Sequence, residues 1–70
     1  MPKPYSVRLV LKTLKAKGFF LVSQRGSHAK YRKYGHPTLD VIIPIHEKEI
    51  RYDTFRSILR QARLKEEDFV

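Results

Sequence analysis

Three alternating segments lie between residues 19 and 43, and the turns joining them restrict the fold more than any other feature of the chain. Phe19 to Arg25 is rich in aromatic and branched residues and reads as a strand. Gly26-Ser27 signals a turn, and His28 to Tyr34 reads as a second strand. Gly35-His36-Pro37 supplies the next turn. Thr38 to Ile43 forms a third strand, ended by Pro44, which cannot donate to a ladder. Parallel neighbours need a crossover of about a dozen residues, so turns this short predict an antiparallel meander.

A period of two then sorts the side chains. Leu39, Val41 and Ile43 make an apolar set that belongs against a core. In the second strand, Ala29, Tyr31 and Lys33 share one face, and His28, Lys30, Arg32 and Tyr34 share the other. The His28 face is expected to be the open face of the sheet, with Tyr31 in the core and Tyr34 exposed.

The segments on either side carry the helical period. Val7, Val10, Leu11 and Leu14 follow i, i+3, i+4, i+7, after Ser6 as N-cap and before Gly18 as a left-handed stop. Leu9 points away from that stripe. Phe55, Ile58, Leu59 and Ala62 repeat the spacing, with Asp53 near the start to cap or to complement the dipole. Arg51, Arg56, Arg60 and Arg63 populate the outer face of this second helix. Leu64 to Val70 is expected to form a last turn or short helix, with Leu64 and Phe69 packing back. The reading is α+β: a single α-β-β-β-α domain over residues 1–70, of the double-stranded-RNA-binding-like type, with both helices on one face of a three-stranded antiparallel sheet.

Charge narrows the function. Nine Lys or Arg residues and no carboxylate precede Asp40, and the formal net charge is +8. The basic half is therefore expected to lack local neutralisation. Such a field favours nucleic acid first, an acidic protein second and an anionic membrane third. The chain has no cysteine, so disulfides and Cys-ligated zinc are excluded. Its apolar runs, Phe19 to Val22 and Val41 to Ile43, are too short to span a bilayer, and no secretory leader is legible. The expected compartment is the cytoplasm.

A lone histidine beside a turn is most often half solvated and inert. Three features lift His28 above that reading. Gly26 opens the backbone approach, Ser27 adds a hydroxyl able to hold a phosphate oxygen, and Lys30 and Arg32 share the face of His28. Arg25, Gly26, Ser27, Lys30, Arg32 and Tyr34 form the candidate RNA-binding set, with Tyr34 suited to base stacking. A neutral imidazole there can take the proton of a ribose 2′-OH, and an imidazolium can protonate the leaving 5′-oxygen. One ring cannot do both at once. His36 and His46 are expected to be structural or solvated, and no spacing of His and carboxylates forms a metal signature. Glu47, Glu49 and the Glu66-Glu67-Asp68 run read as solvated charge.

At Gly26-Ser27-His28 the sequence resembles the HicA family of bacterial and archaeal toxins. Gly18-Phe19 after a basic helix, Tyr31 downstream of the motif, Pro44-Ile45-His46 at the strand exit, and Thr54-Phe55-Arg56-Ser57-Ile58-Leu59 in the last helix extend the likeness in order. Two departures stand out. Phe55 replaces the usual Leu, and Arg63 stands where a small residue, often Gly, commonly follows the helix. The resemblance implies a double-stranded-RNA-binding-like fold and sequence-relaxed mRNA cleavage by the motif's histidine, here His28. It further implies no metal cofactor, and a cognate HicB antitoxin as partner. From the residues alone, a non-catalytic RNA-binding module and a basic protein-interaction domain remain open beside the ribonuclease.

Overall fold

Ser6 begins the first helix as its spacing predicts: its Oγ accepts a hydrogen bond from Leu9 N at 3.0 Å. The structure, a computed structural model, describes residues 5–69. Helix α1 (Val7–Ala16) buries Val7, Val10, Thr13 and Leu14 and turns Arg8, Lys12 and Lys15 to solvent. It closes with Gly18 at φ +99°, while Gly18 N donates to Lys15 O and Phe19 N to Leu14 O at 3.1 and 2.9 Å. This paired closure satisfies two otherwise orphaned carbonyls and requires a left-handed residue at the turn.

Strands β2 (Phe20–Arg25), β3 (His28–Lys33) and β4 (Leu39–Pro44) form the antiparallel meander in the order β2-β3-β4. Gly26 bridges β2 and β3 at φ +55°. Ala29 and Tyr31 of β3 and Val41 and Ile43 of β4 are buried, as the alternation requires, against both helices. Pro44 lies inside β4, opposite His28, rather than beyond its end. The N–H of Ile42 turns away from β3 and donates to Gln61 Oε1 at 3.0 Å. Pro44, two residues on, shares that orientation, so its missing donor costs the ladder nothing. Together Gln61 and Pro44 blunt the outer edge of the sheet.

Helix α2 (Tyr52–Ala62) buries Phe55, Ile58, Leu59 and Ala62. Arg51 holds the N-cap position without a side-chain bond, and Asp53 sits in the first turn, where its Oδ1 accepts from Thr54 N at 2.9 Å. Asp53 thus complements the dipole rather than serving as the N-cap. Phe55 is fully buried at the centre of an aromatic group. Tyr5 stacks on it at 3.8 Å between centroids and Phe69 meets it edge-on at 5.1 Å.

One element lies outside the sequence reading. A two-residue ribbon pairs β1 (Tyr5–Ser6) antiparallel to β5 (Glu49–Ile50) and ties the chain's start to the lead-in of α2. Two residues are too few for any periodicity to register. A 3₁₀ turn, Glu66–Phe69, then packs Phe69 back into the core, and Val70 lies outside the described residues. The acids of this turn are not merely solvated. Asp68 Oδ2 accepts from Lys65 N at 2.9 Å, its Oδ1 lies 3.4 Å from Lys17 Nζ, and Glu66 takes the hydroxyl of Tyr52. The backbone N–H of Lys65 and the Lys17 ammonium hold Asp68 below the ordinary carboxylate range.

The end of α2 repeats the closure of α1. Arg63 N donates to Arg60 O and Leu64 N to Leu59 O, with Arg63 at φ +56° where α1 has glycine. A side chain in this region carries a steric penalty that glycine avoids. Arg63→Gly is therefore expected to raise stability by up to about 1 kcal/mol, since relief of strain outweighs glycine's entropy in the unfolded chain. Chemical denaturation checks it; a clear loss of stability would mean that the Arg63 side chain contributes more than its backbone strain costs.

Candidate active site

His28 opens β3, directly after the left-handed Gly26 and Ser27. A Cβ at Gly26 would meet nothing within 4 Å, so the glycine serves its backbone angle and not a tight packing contact. Ser27 Oγ lies 3.5 Å from His28 Nδ1, which leaves Nε2 as the ring nitrogen free of that contact. The carbonyl of Ser27 accepts from Ile45 N at 2.7 Å and anchors the turn to the residue after β4. A short, tethered turn therefore carries the imidazole.

Register brings the neighbours. Arg25 stands directly across from His28 on β2, and Lys30 pairs with Ser23 on β2 and Ile42 on β4. These residues share the open face and line a shallow pocket of about 380 Å³ with His28 and Ala29. Of the residues singled out by sequence, Arg25, His28 and Lys30 converge here, with Gly26 and Ser27 at the turn beside it. Ser23 and Ile42 were not anticipated. Ser23 shares the parity of Arg25, so the two-residue turn already implied it. Ile42 needed the register of β4, which no local signal supplies.

Arg32 and Tyr34 sit at the other end of the face. Arg32 is not a free cation: its Nε and Nη2 donate to the two oxygens of Asp40 at 2.7 and 3.1 Å. Asp40 lies across from it on β4. Thus the basic half is neutralised in space where the sequence suggested it was not, at Arg32 by Asp40 and at Lys17 by Asp68. Hydrogen bonding to Asp40, with a smaller contribution from Tyr34, makes the Arg32 guanidinium even harder to deprotonate. The same fork, with a further pull from Lys30, depresses Asp40 below the usual carboxylate range. A depressed carboxylate stabilises the folded chain above its unfolded pKa of about 3.9 and loses that contribution as pH falls through the folded value. The fork is therefore intact throughout the range in which histidines titrate.

His36 is exposed in the turn before β4. His46 is exposed after it, 3.4 Å from Glu47 Oε1. Neither lines the pocket, and among the described residues no three His, Asp or Glu side chains gather as a metal-binding group.

A small basic α-β-β-β-α domain with a turn-borne histidine on its open face is the class that this geometry defines. The chain matches the family model described as HicA toxin of bacterial toxin–antitoxin over residues 7–64, well beyond half its length. It belongs to that family of toxin–antitoxin toxins. No curated protein sequence matches it. Among the described residues no helix is long and apolar enough to cross a membrane.

The Arg32–Asp40 fork yields a test of the surface's charge. Asp40→Asn removes the carboxylate that engages Arg32 and is expected to steepen the salt dependence of polyanion binding by up to about one unit of log–log slope. The melting midpoint should hardly move, because exposed ion pairs contribute little. An unchanged slope would place the anion-binding surface away from this end of the sheet.

Proposed function

We propose that this chain is the ribonuclease toxin of a type II toxin–antitoxin pair, cleaving mRNA through His28 without a metal ion and silenced by a cognate HicB-like antitoxin. The observation that carries the reading is the convergence of Arg25, His28 and Lys30 on one open pocket, built by a turn that holds the imidazole.

The chemistry follows from that arrangement. Arg25 and Lys30 attract a phosphodiester, and the Ser27 hydroxyl donates to one of its non-bridging oxygens. The neutral ring of His28 takes the proton of the adjacent ribose 2′-OH. The 2′-oxygen attacks phosphorus, and the bond to the 5′-oxygen breaks. The leaving oxygen takes its proton from water or, in a sequential step, from the imidazolium just formed. Two cations beside the phosphorane offset the charge that develops there, which is the role a metal plays in other nucleases.

Inhibition fits the same face. A site without a removable cofactor is silenced most simply by covering it, and the open face offers exposed Phe20 and Ile42 between its cations. An antitoxin bringing acidic and apolar side chains would meet both. Specific association needs roughly 800 Å² per partner, a large share of a domain whose whole accessible surface is 5159 Å².

His28→Ala tests the assignment. Cleavage of an unstructured RNA, measured with a chelator present, is expected to fall at least about a hundredfold, the usual contribution of a general base. Growth inhibition should vanish with it. The melting midpoint should stay where it is, because the ring is exposed. Undiminished cleavage by a folded variant would remove His28 from the mechanism. Loss of cleavage in the wild type on adding chelator would put a metal into it.

A further inference from the structure

Strict alternation along β2 would put Phe20 on the opposite face from Ser23 and Arg25. It does not, because the β2–β3 register shifts between Leu21 and Ser23 and leaves Val22 unpaired. This bulge reverses the parity upstream of it, and Phe20 pairs with Arg32 on the open face. Bulges of this kind occur beside active sites and re-aim side chains.

The re-aimed ring has a partner. Phe20 and Tyr34 lie 5.5 Å apart between centroids and tilt by 40°. They form a corner and not a closed stack, and both remain open to solvent, Phe20 at 42% and Tyr34 at 67% exposure. The Arg32 guanidinium lies 6.0 Å from the centre of the Tyr34 ring, and Asp40 holds it there through two hydrogen bonds. Two exposed aromatics in contact, flanked by a fixed planar cation, lie at one end of a face whose other end carries Arg25, His28 and Lys30.

We infer that the Phe20–Tyr34 corner, with Arg32 beside it, binds one unpaired nucleobase of the RNA strand whose scissile phosphate lies at His28. This rests on the ribonuclease reading and specifies its substrate as a single strand. Base faces become available to aromatic side chains only when the base is unstacked and unpaired. Charge complementarity favours this occupant over an apolar protein segment, because the corner shares its face with a pocket lined by Arg25 and Lys30. Asp40 is then a positioning residue, acting through Arg32. Arg32 lies four residue steps along β3 from His28, about 13 Å at ~3.3 Å per residue. The bound base therefore falls within about four nucleotides of the scissile phosphate, since stacked nucleotides rise ~3.4 Å each.

An abasic scan tests this without relying on cleavage. A short unstructured RNA is bound to the His28→Ala protein, and one base at a time is replaced by an abasic residue. One position is expected to cost roughly five- to a hundredfold in affinity, the range for a single base stacked on an aromatic ring. In Phe20→Ala or Tyr34→Ala proteins of unchanged melting midpoint, that position should cost nothing further, and Phe20→Tyr or Tyr34→Phe should restore its cost. A flat profile, or a sensitive position that persists in the alanine variants, overturns the corner while leaving the ribonuclease reading in place. Failure of the strand to bind at all overturns both.

Discussion

Burial of Ala29 and Tyr31 fixes which face of β3 meets the core, and the open face follows from it. Those two side chains pack with Val41 and Ile43 against α1 and α2. A slip of one residue in the pairing would exchange the two faces of the strand, placing His28, Lys30 and Arg32 in the core and Tyr31 in water. The cost of burying three ionisable side chains without partners excludes that alternative. The left-handed Gly26 then sets β2 against β3 so that Arg25 faces His28. Position of the candidate nucleophile-activating ring is thus a consequence of core packing, and needs no buried charge of its own.

The same economy appears in the electrostatics. A chain of +8 must tolerate self-repulsion in a small domain. The carboxylates relieve it selectively. Asp68 pairs with Lys17 where the last turn docks, and Asp40 pairs with Arg32 at the far end of the open face. Arg25 and Lys30, the cations that line the pocket, have no such ion pair among the described residues. The open face is therefore graded, with cations outside any ion pair at one end and a guanidinium committed to a carboxylate and an aromatic ring at the other.

Much of this was legible in the sequence because the relevant signals are local. Ser6, Gly18 and Gly26 act within a few residues of themselves, and the alternation in β3 and β4 separates core from surface without knowledge of the partner strands. Residues with mixed signals were harder to read. Arg63 by its own residue type gives no sign of a left-handed conformation, although the two-bond closure it completes matches that at Gly18. Phe20 looks like a core residue beside Phe19 until the bulge at Val22 turns it over, and a bulge leaves no composition of its own. Asp40 marks the end of the acid-free stretch in sequence but lies across from its cation in space. The β1–β5 ribbon joins residues more than forty apart through two pairs, a contact supported by the Tyr5–Phe55 stack and by burial of Ile50.

The central claim is that a 2′-oxygen activated by His28 is the nucleophile, and the ends of the products report on it directly. Attack by the neighbouring 2′-oxygen closes a ring on phosphorus and releases the 5′-oxygen as a hydroxyl. Wild-type chain acting on a defined single-stranded RNA in the presence of chelator should therefore leave 2′,3′-cyclic phosphate, or the 3′-phosphate formed by its hydrolysis, facing a 5′-hydroxyl. Products carrying a 5′-phosphate and a 3′-hydroxyl would mean that water, and not the ribose, attacked the phosphorus, and would contradict the account.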